Sequence, residues 1–205
     1  MSSAHIKSHF SKTDKILFNI LDTMEFEVLK PQAVPAEYFH RLTREIIGQQ
    51  LSVKVADVIY KRFESLFHNQ PITAEMILKA EDQTLRDIGM SWGKVKYVKD
   101  LAAKTKNKEL AFEQFTEMSE EEVITELTKV KGIGRWTAEM FLIFNLGRED
   151  VFSFGDLGLR RAIEKNYGLD KDVHVKLMEP IVQNWKPYRS YASLALWHSL
   201  DNKPK

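Results

Sequence analysis

Apolar residues recur every three to four positions along most of this chain, the period at which one face of an α-helix is buried. Ile16, Leu17, Ile20, Leu21 and Met24 make the first stripe, opened by Thr13-Asp14. Pro31 and Pro35 interrupt it, and a second helix is predicted from near Ala36 to Gly48. Gln49-Gln50-Leu51 reads as a turn, after which Ser52 is placed to cap a helix carrying Ala56, Ile59, Phe63 and Phe67. Short helices follow over 73–80 and 82–88, the second stopped by Gly89, and another after Ser91 buries Val95, Val98, Leu101 and Ala102. Ser119 and Glu122 form a capping box for a helix reaching about Val130. A strongly apolar helix runs from Arg135 to Leu146 and is closed by Gly147. Asp156 starts a helix ending near Tyr167-Gly168, residues 172–185 form one kinked or split at Pro180, and a last one spans Tyr188 to about Leu200. No segment alternates with the period of two that marks a strand. The fold class predicted is all-α, with two helical lobes and a cleft between them.

Composition narrows the chemistry. The chain has no cysteine, which excludes disulfides, zinc–thiolate sites, cysteine nucleophiles and cysteine-ligated iron–sulfur clusters. No apolar run approaches the ~20 residues that span a bilayer, and the first residues do not read as a secretory signal, so an intracellular, membrane-free location is expected. The formal net charge is only +1, so overall charge does not announce a nucleic-acid partner. Lys94, Lys96, Lys99, Lys104, Lys106 and Lys108 crowd one stretch, a pattern that ordinarily marks a solvated face. His5 and His9 have a metal-compatible spacing without a third ligand nearby.

The most informative stretch is Leu127-Thr-Lys-Val-Lys-Gly132-Ile-Gly134-Arg-Trp-Thr-Ala138. A helix ends, two glycines bracket a tight turn, and a second helix begins at once. Glycine lets such a turn approach a ligand closely, and the helix N-terminus behind it offers unpaired N–H groups suited to a phosphate. Lys131, Gly132, Ile133, Gly134 and Arg135 are therefore the candidate phosphate contacts. An αα-corner that merely needs two glycines would look the same. There is no third glycine and no preceding strand, so a dinucleotide site is not indicated.

Val130-Lys-Gly-Ile-Gly-Arg-Trp-Thr-Ala138 resembles the helix-hairpin-helix motif of base-excision DNA glycosylases, in particular the DNA-3-methyladenine glycosylase II branch. Three further blocks agree: Ile46-Ile-Gly-Gln-Gln-Leu-Ser-Val53, Asp150-Val-Phe-Ser-Phe-Gly-Asp156-Leu, and Trp185-Lys-Pro-Tyr-Arg-Ser-Tyr-Ala-Ser-Leu-Ala-Leu-Trp197. The shared core begins near Pro35, which matches the compact members that lack an N-terminal domain of sheet and helix. The expectation is one glycosylase domain over 1–205, with an N-terminal arm over 1–12 and the hairpin motif over about 120–146.

The resemblance implies a monofunctional glycosylase that flips an alkylated purine, such as 3-methyladenine or 7-methylguanine, out of double-stranded DNA as a monomer. The catalytic aspartate falls on Asp156, where a helix N-terminus favours the ionised carboxylate; the same residue is also simply a good cap. The base pocket falls on Trp136, Trp197 and Met140, the last being a tyrosine in the best-known broad-specificity member. The wedge that fills the vacated stack falls on Gln50 by residue matching, while Leu51 is the more usual apolar plug. Bifunctional relatives carry a lysine nucleophile at the position of Trp136, so no Schiff base is expected here. No cofactor is required, and the iron–sulfur loop of other branches is missing. A sodium or potassium ion is implied at the carbonyls of Thr128, Val130 and Ile133. Arg189 and Tyr191, in the last block, read as structural supports. The alternatives are a non-catalytic hairpin DNA-binding module and a glycosylase/lyase.

Overall fold

The computed structural model describes residues 2–68 and 70–201. These residues are helical with no strand among them, and they divide into two compact units. One is continuous, Gln32–Ala138; the other joins the chain up to Pro31 with the chain from Glu139 onward. The division falls inside a single helix, α9 (Arg135–Phe144).

The continuous unit contains α3 (Pro35–Gly48), α4 (Val53–Leu66), α5 (Ala74–Lys79), α6 (Asp82–Asp87), α7 (Trp92–Lys106), α8 (Glu120–Thr128) and the start of α9. Its helices begin where side-chain oxygens accept the orphan amides of the first turn. Ser52 caps α4, Thr73 caps α5, Ser91 caps α7, and Ser119 with Glu122 closes a capping box on α8. The long helix α7 packs against α3 and α5, and α3 also packs against α4. Their facing stripes bury Leu42, Ile46, Phe63, Val95, Val98 and Leu101 completely, in close-packed aliphatic and aromatic contact. A 3-10 turn at Phe112–Gln114, which carries no helical stripe to predict it, brings Phe115 into a stack on Tyr38 with ring centroids 5.7 Å apart.

The other unit contains α1 (Ser3–Thr13), α2 (Lys15–Asp22), the end of α9, α10 (Leu157–Tyr167), α11 (Val175–Gln183) and α12 (Arg189–Asp201). The expected N-terminal arm is a helix instead. Ile6 and Phe10, one turn apart, are fully buried, and α1 packs on α2. Two isolated apolar residues at that spacing are too short a stripe to declare a helix in sequence, yet enough to dock one. Asp14 separates the two helices. Its Oδ1 accepts the Ile16 and Leu17 amides, and its Oδ2 accepts the Trp185 indole N–H and the Tyr167 hydroxyl. Helix α11 runs unbroken through Pro180. The proline lies in the second turn, where the missing N–H leaves only one early carbonyl without its partner.

Candidate functional site

In the continuous unit, the hairpin between α8 and α9 is shaped by the residues around it. Gly132 has φ +84°, and a Cβ there would sit 2.2 Å from the Tyr97 ring. Any L side chain would meet both a conformational penalty and a clash, so this glycine is required twice over. Around Gly134 the space is open: a Cβ there would find no neighbour within 4 Å among the described residues, so a ligand has room to approach the backbone. Asp100, one turn beyond Tyr97 on α7, accepts the Lys131 N–H at 2.9 Å, and the Lys131 ammonium lies 3.6 Å from the same carboxylate. The Lys131 amide is therefore already bonded, and the Ile133 amide donates to the Val130 carbonyl at 3.1 Å. Of the backbone groups expected to meet a phosphate, these two are committed internally. That leaves the Lys131 side chain and the two glycine positions as the better candidates. Arg135 pairs in two-pronged fashion with Glu121, and both side chains are exposed. Such a surface pair is weak, at most about 1 kcal/mol, and a phosphate can displace it.

The turn after α3 lies against the same hairpin. Gln50 is exposed and left-handed at φ +59°, whereas Leu51 is half-buried. Gln49 donates its side-chain amide to the Gly132 carbonyl at 2.8 Å. Turn and hairpin line one groove of about 800 Å³, together with Lys94, Tyr97, Trp136 and Thr137. Lys94 donates to the Ile47 carbonyl at 2.8 Å near the C-terminal end of α3. Burial lowers the affinity of its amine for a proton. Trp136, at the start of α9, is 47% exposed, far more than a core tryptophan. The structure thus brings Gln50, Leu51, Gly132 and Trp136 together within one unit.

In the other unit, Asp156 is the N-cap of α10. Its Oδ1 accepts the Leu159 amide at 2.8 Å and the Trp197 indole N–H at 3.4 Å. Gly158 keeps this corner narrow, since a Cβ there would lie 3.0 Å from Asp156 Oδ1 and 3.6 Å from the Trp197 ring. Trp197 stacks on Phe144 with centroids 5.8 Å apart and planes 29° from parallel. Phe144, at the end of α9, is 45% exposed. Sequence reasoning named Trp136 and Met140 but missed Phe144, although the signal was present: Phe144 continues the same i, i+4 recurrence by one more turn.

The segment leading to Asp156 is anchored by the start of α12. The Arg189 guanidinium grips both carboxylate oxygens of Asp150 and its carbonyl, with contacts of 2.7 to 3.1 Å. Ser190 donates to the Arg148 carbonyl and accepts the Val151 amide. The buried Tyr191 hydroxyl donates to Glu149 at 2.7 Å and accepts the Leu29 amide at 3.0 Å, and burial beside Glu149 pushes its phenol well above the usual range. These side chains hold the backbone that leads to Asp156.

The Thr128, Val130 and Ile133 carbonyls supply neutral, hard oxygens of the kind alkali cations accept. Thr128 ends α8, where the helix dipole favours positive charge, and the Val130 carbonyl, which accepts the Ile133 amide, keeps a second lone pair. The donor chemistry therefore fits a monovalent cation.

No helix among the described residues is long and apolar enough to cross a membrane. A family profile described as HhH-GPD superfamily base excision DNA repair protein matches residues 43–187. The crystal structure of a DNA-3-methyladenine glycosidase from Bacillus halodurans superposes with a TM-score of 0.83 and 34% identity, covering 97% of this chain and 91% of that one. The 3-methyladenine DNA glycosylase Mag1 of Schizosaccharomyces pombe, solved in complex with abasic DNA, gives a TM-score of 0.76 and 30% identity, covering 97% of each chain. The DNA-3-methyladenine glycosylase of Saccharomyces cerevisiae is 33% identical over 92% of this chain and 77% of its own length. With its all-helical fold, its hairpin and a profile match over most of its length, the chain belongs to the HhH-GPD superfamily of base excision DNA repair proteins.

Proposed function

We propose that this protein is a monofunctional DNA glycosylase that flips alkylated purines out of duplex DNA and hydrolyses their bond to deoxyribose, the opening step of base-excision repair. The observation that carries this reading is the placement of Asp156, a carboxylate fixed at a helix N-terminus by the Leu159 amide and the Trp197 indole. An N3- or N7-alkylated purine is cationic, and its glycosidic bond is already weakened. When that bond breaks, its electron pair neutralises the departing base and leaves positive charge on the sugar at C1′. The Asp156 carboxylate stabilises that charge. Water then adds to C1′ and loses its proton, giving an abasic sugar and a free base.

Trp136, Trp197 and Met140 are the residues that the family resemblance assigns to the base pocket. An indole face attracts a stacked cation by ~1–2 kcal/mol once water is excluded. Trp136 offers no amine for a Schiff base, so the reaction is plain hydrolysis. The exposed, left-handed Gln50 is the better wedge, and the half-buried Leu51 the weaker one. Of the hairpin residues Lys131, Gly132, Ile133, Gly134 and Arg135, the two glycine positions and the Lys131 and Arg135 side chains hold the DNA backbone, which positions the protein without reading sequence; the Ile133 amide stays on the Val130 carbonyl. A sodium or potassium ion held by the Thr128, Val130 and Ile133 carbonyls would add positive charge beside the bound phosphate; the reaction needs no other cofactor. The protein acts as a monomer on DNA inside the cell.

Methylated duplex DNA incubated with the protein tests this. Free 3-methyladenine and 7-methylguanine are expected in the supernatant, with abasic sites left in uncut strands and no adduct trapped by borohydride. Binding without any base release would make the protein a non-catalytic hairpin module. A trapped covalent complex would make it a lyase.

A further inference from the structure

The turn that carries Gln50 and the hairpin that grips the backbone lie more than eighty residues apart in sequence, yet one side chain joins them. Gln49 closes α3, with its backbone amide bonded to the Glu45 carbonyl at 3.0 Å. Its side-chain amide reaches across to donate to the Gly132 carbonyl at 2.8 Å. The residue it reaches is the one whose freedom is most restricted. The Tyr97 ring leaves Gly132 no room for a side chain, and the Lys131 amide next to it is held by Asp100. Helix α7 thus supplies two fixed supports for the hairpin, Tyr97 and Asp100, and Gln49 extends that support to the neighbouring turn. Beyond Gln49 the chain has little to hold Gln50. Gln50 is exposed and sits at φ +59°, a conformation a non-glycine residue keeps only when its surroundings impose it. The Leu51 amide then returns to the Gly48 carbonyl at 3.1 Å.

We propose that Gln49 is a positioning residue that ties the wedge turn to the hairpin, so that the residue filling the DNA stack and the loop holding the phosphate move as one body. This rests on the glycosylase reading above. Its consequence is a specific division of labour. The grip on undamaged duplex depends on charge and backbone amides and does not need the tether. Holding a base out of the stack does, because a turn that can swing away leaves the vacated space unfilled.

The test uses Gln49→Met, which keeps length and bulk but removes the donor, alone and combined with Gln50→Ala. In single-turnover reactions on methylated duplex, Gln49→Met is expected to slow base release by about three- to tenfold, the worth of one neutral hydrogen bond. Affinity for undamaged duplex stays at the wild-type value, and the melting temperature falls by no more than about 2–4 °C, the same bond read in folding. The combined variant should release base no more slowly than Gln50→Ala alone, because a tether with no wedge to place has nothing left to do. Amide exchange in the free protein reads the tether separately: Leu51 and Ile133 should both exchange faster in Gln49→Met. If the wild type releases no base but both amides lose protection, the tether stands and the glycosylase reading falls. If the wild type is active, the tether is overturned by either of two results: unchanged release and exchange in Gln49→Met, or effects of the two substitutions that simply multiply.

Discussion

The two units solve the same problem, presenting a few groups to a ligand, with different shares of polar bonding and shape. In the unit that carries Asp156 the hold is made of polar side chains: Arg189 on Asp150 and Tyr191 on Glu149 and Leu29 in the segment before it, and Asp14 on Tyr167 and Trp185 at the far end of α10. Around the hairpin shape shares the task with two polar contacts: a glycine at positive φ sits under a tyrosine ring, Gly134 keeps an open face, and Asp100 and Gln49 bond the backbone at Lys131 and Gly132. A carboxylate that must face a developing cation has to be fixed in angle and distance, and directional bonds do that. A phosphate gripped by backbone amides asks mostly that the chain come close, and closeness is a steric property. Substitutions should therefore fail differently in the two places.

The largest effect on stability is expected from Asp14→Ala. It removes the cap of α2 and strands the Trp185 and Tyr167 donors, for a loss of about 3–5 kcal/mol. At this chain length that corresponds to a fall in melting temperature of roughly 10 °C, which calorimetry reads directly. A loss under about 1 kcal/mol would mean that the polar hold contributes little. Gly132→Ala comes next. The left-handed backbone alone costs an alanine about 1–2 kcal/mol, and the Tyr97 contact adds to it. Duplex affinity should fall with stability, and a second change, Tyr97→Ala, should recover the steric part but not the conformational part. Full recovery would show that φ is not limiting.

Smaller effects sharpen the contrast at the surface. Glu121→Gln releases the Arg135 guanidinium, so duplex affinity should rise by about two- to threefold with a steeper salt dependence. Unchanged salt dependence would remove Arg135 from the interface. The smallest effect concerns His9, whose ring packs edge-on against Tyr188 with centroids 5.0 Å apart. Burial, with a smaller contribution from nearby His5, lowers its proton affinity below the ordinary 6.5. Near and below that value the unfolded chain binds the proton more readily than the folded one, so stability is complete above it and declines as pH falls. Urea titrations of His9→Gln should show a shallower acid loss than wild type, and identical slopes would remove His9 from the titration.

Much of this was legible in the sequence. The caps at Ser52, Ser91, Ser119 and Asp156 were readable because a cap is a local bond made within three residues. The two-glycine hairpin was readable because its turn chemistry is equally local. The N-terminal helix was not, since only two apolar residues dock it and their partners lie far along the chain. Nor was the Asp100 bond to the Lys131 amide, which commits a group the sequence had offered to a phosphate. The Gln49 contact to Gly132 was hidden for the same reason, whereas Phe144 lay one turn beyond Met140 and could have been read.

Asp156→Asn tests the central claim most directly, because asparagine caps a helix about as well as aspartate and changes little but the charge. Single-turnover release of 7-methylguanine from methylated duplex should fall by roughly a hundredfold or more, with duplex affinity and melting temperature held near wild type. Release at the wild-type rate from a folded, DNA-bound Asp156→Asn protein would contradict the account.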